Sequence, residues 1–366
     1  MNHSEYRVEV CRLRDAEPHF AKWQELCAQA AEPNPFHEPW FLFVDAERAA
    51  DIDQVEVILV WLGPLLVAAL PMTREKVYRT LKQLKLRQNA FMPLATPPIH
   101  KDHLPQAMAT IMNWLTKNSK AHLISLPLVA ADGAFHNQLT EELQRSKLTY
   151  LMSNAHQRGL LIPRDNDVAA YLTRAFQGTK RGQKLRARER HLAEQGAVTF
   201  DTLSSKQDLS RWVQEFLDVE KKGWKGKNGT AMACSSKDEA FFKKLASEAF
   251  ERECLFMMAM RLNGAPIAMT FTLLAGDGGF IYKITYDEDH AANAPGVQLQ
   301  VEHMRRVHKN LQPRWMDSCA QPDATLYNDL WTERRKMVNW LIATNSISGC
   351  LIISARSLIR HFKPML

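Results

Sequence analysis

The residues with most chemistry to offer crowd into KITYDEDH, residues 283–290. Lys283 and Tyr286 fall near the end of an expected strand, and Asp287, Glu288, Asp289 and His290 fill the loop before an expected helix. Carboxylates and a histidine placed there can take a proton from a reacting group, and they can equally cap the helix. Glu288 and His290 are the candidate bases. The loop runs into Ala294-Pro295-Gly296-Val297-Gln298. Pro295 fixes the entry geometry, Gly296 lets backbone approach a ligand, and the first helical amides are donors suited to an anion such as a pyrophosphate. The same residues also make an ordinary helix start. Earlier in the chain, GWKGKNGTA (residues 223–231) sets Trp224 between Lys222 and Lys225 in a glycine-interrupted loop. That composition suits a cover for a phosphorylated or planar ligand, or a basic loop pinned by a buried Trp.

Composition bounds these readings. The chain has 366 residues, 46% of them hydrophobic, enough for a folded protein and, at about 100–200 residues per domain, for two domains. Its six cysteines (Cys11, Cys27, Cys234, Cys254, Cys319, Cys350) form no CxxC pair and no close Cys/His spacing, which argues against a zinc site or a disulfide framework. No metal is expected. The start, MNHSEYRVEV, lacks a basic segment followed by an apolar run, so no signal peptide is expected and the cytoplasm is the expected compartment. The longest apolar stretch, residues 57–70, falls short of the roughly 20 residues of a membrane helix, and Gly63-Pro64 splits it into two strands and a turn. Lys and Arg exceed Asp and Glu by 47 − 40 = 7. The excess favours an anionic partner without choosing among nucleic acid, anionic lipid and a phosphorylated cofactor.

The elements that must position these residues occur twice. In the first half, strands are expected over 6–13, 55–61, 65–72, near 89–94, and over 122–129, 148–153 and 157–162, with helices over 17–28, 38–49, 103–116 and 134–145. A helical, strongly basic connector spans 168–195. After Gly196 the order begins again: a strand over 197–203, helices over 206–221 and 237–252, and strands over 255–262, 266–274 and 279–286. Asn263-Gly264 marks the hairpin between the first two of those strands. A helix from 296 to about 309, a strand over 314–319 and a helix over 324–331 follow. Each half reads strand, two helices, three antiparallel strands, helix, strand, helix, an α/β pattern of mixed sheets with helices on both faces.

This order resembles the GNAT acyltransferase fold, and two copies in one chain resemble FemAB-type transferases and the CelD-like acetyltransferases of cellulose biosynthesis. RGQKLRARERHLAEQGAVTF (181–200), LNGAPIAMTF (262–271) and KITYDEDHAANAPGVQL (283–299) look like the family's basic helix, hairpin and strand–loop–helix crossing, and NPFHEPWFL (34–42) looks like the run at its start. The family usually presents a Gln/Arg-x-x-Gly-x-Gly/Ala turn to the cofactor, whereas this chain has Ala294-Pro295-Gly296-Val297. The resemblance implies tandem GNAT-like halves, 1–164 and 165–366, packed as a pseudo-dimer. It also implies an N-acyltransferase in which an acceptor amine attacks acyl-CoA directly.

Trp224, Lys225, Ala294, Gly296, Val297 and Gln298 are the expected cofactor residues, and Lys283, Tyr286, Ser318 and Cys319 the expected substrate residues. Asp317, Ser318 and Cys319, in MDSCAQPD (residues 316–323), would stand at the strand end flanking the thioester. Glu288, His290, Asp317, Asp323 and Tyr327 are the catalytic candidates. Asp317 and Asp323 can orient an amine or cap a helix, and Tyr327 can protonate the departing thiolate or pack. Cys319 would be a nucleophile only with a lowered pKa and otherwise reads as a small core residue. The rival readings are a FemAB-type aminoacyl transfer from charged tRNA and a non-catalytic accessory role in exopolysaccharide synthesis. Basic runs (Arg74, Lys76, Arg79, Lys82, Lys85, Arg87, and Arg181 through Arg190) suit tRNA or an anionic glycan but lack a nucleic-acid motif.

Overall fold

The computed structural model describes residues 6–77, 81–163, 167–310, 312–322, 324–344 and 346–362. The chain forms two units, Met1–Gln157 with Arg335–Leu366, and Arg158–Arg334.

The first unit begins β1 (Tyr6–Arg12), α1 (Phe20–Ala28), α2 (Pro39–Ala49), β2 (Val55–Leu62), β3 (Leu65–Lys76) and β4 (Lys82–Leu86). It continues α3 (Leu104–Lys117), β5 (Leu123–Ala130), α4 (Ala134–Arg145) and β6 (Tyr150–Leu161), whose last residues from Arg158 belong to the second unit. β1 to β4 pair antiparallel in turn, and β4 pairs parallel with β5. The apolar stretch at 57–70 makes the β2–β3 hairpin, buried on both faces, with Ile111, Met112 and Leu115 of α3 in the same core.

Two local expectations shift. The third strand is β4 rather than 89–94. Only Leu84 and Leu86 of β4 are fully buried, so its lysines mask the alternation, whereas Asn89 sits in a loop and donates to Asp45. The two strands expected over 148–162 are one, β6.

The second unit carries α5 (Val168–Ala175), α6 (Arg181–Gln195), β7 (Val198–Thr202), α7 (Lys206–Lys222), the single turn α8 (Trp224–Lys227) and α9 (Ser236–Glu251). Then come β8 (Leu255–Leu262), β9 (Ala265–Ala275), β10 (Gly278–Tyr286), α10 (Pro295–Asn310), β11 (Trp315–Asp317) and α11 (Thr325–Leu330). The basic connector is two helices, because the chain turns at Gly178, whose φ of +69° breaks the helical run. Ser205 caps α7 by accepting from the Gln207 N–H, and Leu209, Trp212, Val213, Phe216 and Leu217 form its buried stripe. Asn263 and Gly264 adopt φ of 50° and 84°, the two positive values that a tight hairpin turn needs.

β7 to β10 pair antiparallel in turn, and β10 pairs parallel with β11. Each unit therefore repeats one element order and one pairing pattern, the mixed α/β duplication expected from the sequence. The β10–β11 pairing covers only Gly278–Phe280 against Trp315–Asp317, while β10 runs on to Tyr286 past a register shift between Ile281 and Lys283. β10 thus outruns its parallel neighbour, and α10 begins alongside.

The sequence reading assigned no element after 331. β12 (Glu333–Ala343) pairs antiparallel with β5, and Asn339 accepts from the Leu128 N–H at 2.9 Å. α12 (Ile347–Phe362) follows. The described residues from 335 on accordingly group with the first unit. No helix among the described residues is long and apolar enough to cross a membrane.

Candidate active site

The second unit holds a cavity of about 540 Å³ where β10 outruns β11. One wall is a face of α6, Arg181, Lys184, Leu185 and Arg188, spaced so that all point the same way. Thr325, Leu326, Asp329 and Leu330 of α11 also line it. Ile284, Thr285 and Tyr286 of β10, Ala294 to Val297 at the start of α10, and Glu220, Gly223, Trp224 and Lys225 complete the lining. Phe176, Leu185, Val297, Leu326 and Leu330 make an apolar floor continuous with the core.

Above that floor the rim is cationic. Arg181 pairs with Asp329 at 2.8 Å, whereas no described carboxylate partners Lys184 or Arg188. The start of α10 adds less than expected. The Val297 and Gln298 N–H groups both donate to the Ala294 carbonyl, so an anion here depends mainly on side-chain cations.

The Gly223–Gly229 loop is folded tightly beneath α7. A Cβ at Gly226 would lie 1.7 Å from the Lys221 carbonyl oxygen, so only glycine allows this approach. The loop leaves the Trp224 side chain half exposed at the cavity rim. Lys225 Nζ turns inward to Glu220 at 3.0 Å and to the Ile284 carbonyl at 2.9 Å.

Of the residues singled out by sequence, the cavity gathers Trp224, Lys225, Tyr286, Ala294, Gly296 and Val297. Gln298 does not join them: it is buried and its amide donates to the Asn293 carbonyl at 2.9 Å. Lys283 stands behind the rim, 3.2 Å from Glu220, and burial pulls its pKa below the ordinary lysine value.

Three of the catalytic candidates, Glu288, Asp317 and Tyr327, are engaged elsewhere. Glu288 accepts from the Trp224 N–H at 2.7 Å and pairs with Lys227, whose hydrogen bond holds the carboxyl below its usual range. It fastens the loop and is a poor base. His290 lies in a short turn and is not part of the lining. Asp317 is fully buried, with both oxygens on Arg158 at 2.7 Å and one also on the Cys319 N–H at 2.8 Å. Ser318 is buried, its N–H donating to the Gly159 carbonyl. Tyr327 lies on the core face of α11 against Trp331, and burial raises its phenol far above the ordinary value, so it is not placed to protonate a leaving group in the cavity. Asp323 lies outside the described residues.

Cys319 lies two residues past the end of β11, its N–H on Asp317, and is not part of the lining. Cys319→Ala is expected to leave turnover within a few fold of wild type in a steady-state assay. A folded but inactive variant would instead establish an acyl-enzyme.

Sequence reasoning missed Glu220 and the role of α6. Both left a signal: Glu220 continues the apolar stripe of α7 one turn beyond Phe216 and Leu217, and the i, i+3, i+7 spacing of Arg181, Lys184 and Arg188 defines one face.

Residues 179–323 match the model of the family described as an acetyltransferase (GNAT) domain. Among solved structures, FemX is similar across 92% of this chain and 96% of its own, at 8% identity and a TM-score of 0.57. L-PGS from Bacillus licheniformis is similar across 93% and 95%, at 10% identity and a TM-score of 0.54. A protein of unknown function from Bacteroides thetaiotaomicron is similar across 89% and 97%, at 12% identity and a TM-score of 0.53. At such identities the likeness is one of fold. No curated protein matches the chain.

Proposed function

We propose, on the premise that residues 179–323 carry a GNAT acyltransferase domain, that the chain transfers an acyl group from acyl-CoA to the amine of an acceptor in the cavity of the second unit. The observation that carries this reading is the meeting of two cations without a partner carboxylate among the described residues, Lys184 and Arg188, with an apolar floor at the point where β10 outruns β11. The cations suit the donor's phosphates, the floor its pantetheine and acyl portions, and the unpaired stretch of β10 offers main-chain partners to the amides between them.

In direct transfer the amine lone pair attacks the thioester carbonyl carbon, forming the C–N bond, and the carbonyl π pair moves to oxygen. Collapse breaks the C–S bond, and the thiolate leaves and takes up a proton. Glu220 and Asp329, the carboxylates of the lining, are already bound to cations, so the amine enters as the free base and its proton passes to water.

The loading step has a direct test. A Cβ at Gly296 would sit 3.7 Å from Tyr286 and 3.9 Å from Ile284, ordinary contacts, so the fold accepts a side chain that intrudes on the lining. By calorimetry with acetyl-CoA and longer acyl-CoAs, Gly296→Val should bind about tenfold more weakly, a loss of about 1.4 kcal/mol, with its melting temperature little changed. A variant with full affinity removes α10 from the donor site. If wild type binds no acyl-CoA but binds aminoacyl-tRNA in a steeply salt-dependent way, the donor is tRNA.

A further inference from the structure

Glu220 is the one fully buried carboxylate of the cavity lining, and it holds an unusual set of partners. Its Oε1 accepts from Lys225 Nζ at 3.0 Å and from Lys283 Nζ at 3.2 Å, and its Oε2 accepts from the Met232 N–H at 2.8 Å. The lysines come from different elements, Lys225 from the α8 turn and Lys283 from β10 just after the register shift. Lys225 Nζ also donates to the Ile284 carbonyl at 2.9 Å. An ammonium has three N–H donors in tetrahedral array. Two of those on Lys225 are committed to chain acceptors, which fixes the direction of the third, and the side chain lines the cavity.

The charges do not balance at this carboxylate, which faces two ammoniums. Lys283 lies outside the cavity lining, which leaves Lys225 as the cation of the pair that borders the cavity. Burial acting alone would raise the Glu220 carboxyl, but the lysines and the Met232 N–H outweigh it and keep the group ionised. Burying a carboxylate is costly unless it is paired and hydrogen-bonded, as it is here on both oxygens.

We propose that Glu220 is a positioning residue that aims the Lys225 ammonium at an oxyanion of the ligand in the cavity. The inference rests on the acyltransferase reading and names the group that organises its site. The oxyanion has two sources of the same chemistry: a phosphate of the donor, or the carbonyl oxygen that becomes negative as the amine adds.

The test uses the full chain, free CoA as the binding probe, and turnover of acyl-CoA with an amine. Lys225→Met leaves Glu220 bonded to Lys283 and Met232, so the core keeps its ion pair. If the ammonium faces a phosphate, the Kd for CoA rises about tenfold. If it faces the developing oxyanion, the Kd stays within about twofold and kcat falls by about a hundredfold. Either pattern supports the proposal.

Glu220→Gln should shift the same parameter, and the double variant should lose no more than Lys225→Met alone, a non-additivity that a purely structural role would not produce. If Glu220→Gln fails to fold, Glu220→Asp carries the cycle. A folded Lys225→Met with both Kd and kcat within about twofold of wild type, or losses that add in the double variant, overturns the proposal while the wild-type activity stands. A wild-type chain that neither binds CoA nor turns over acyl-CoA overturns the donor reading, and this inference with it.

Discussion

Arg158→Met is expected to cost about 3–5 kcal/mol of stability, because it strands a buried carboxylate. Arg158 and Asp317 are 1% and 0% exposed, and the guanidinium meets the carboxylate side-on with both contacts at 2.7 Å. They join the end of β6 to the end of β11, next to the pairing of Asp317 with Leu160. With the guanidinium gone, Asp317 keeps the Cys319 N–H but loses the two Arg158 contacts while remaining 0% exposed. The effect should appear as a lower urea midpoint with an unchanged slope. Arg158→Met/Asp317→Leu should recover much of the loss, since two apolar groups no longer oppose desolvation. A single variant within about 1 kcal/mol of wild type would contradict a dry, paired role for Asp317 and return it to the list of available bases.

The second large effect is on the ligand. Lys184→Gln/Arg188→Gln should weaken acyl-CoA binding about a hundredfold, or ~2.8 kcal/mol, from two charge-assisted phosphate contacts. Both side chains are exposed on α6, so the melting temperature should hold. The affinity of the variant should also depend less steeply on salt, because exposed charges act through a screened field. Arg186→Gln, on the same helix but outside the lining, is the control and should bind as wild type does. Equal losses in the control and the double variant would mean that the whole basic helix acts as a diffuse field with no phosphate site at this face.

How much of this was legible depended on the kind of signal. The β8–β9 hairpin announces itself in Asn263-Gly264, and the β2–β3 hairpin in an apolar run cut by Gly63-Pro64, because local turn chemistry suffices for both. β12 was invisible as part of the first unit: nothing in the 333–343 segment says that its partner is β5, some two hundred residues earlier. β4 was hidden because Lys82 and Lys85 interrupt the alternation of so short a strand.

At the site, the motif residues Trp224, Lys225, Tyr286 and Gly296 do line one cavity, since short spacing along a loop and a helix start constrains position. Two of the candidate acids and bases, Glu288 and Asp317, are held by cations, because a carboxylate's freedom depends on partners distant in sequence. Glu288 meets Lys227, and Asp317 meets Arg158. Glu220 shows the converse. It looks like one more helix carboxylate until Lys283, 63 residues on, is seen to share it.

The most direct test is one reaction mixture of the wild-type chain, an acyl-CoA series and a set of primary amines, read for free thiol and for the mass of the acylated amine together. Direct transfer predicts thiol and amide in equal amounts, no acyl group left on the protein after denaturation, and loss of both products in Lys184→Gln/Arg188→Gln. Thiol release without amide, an acyl group retained on Cys319, or full activity in the double variant would contradict the account.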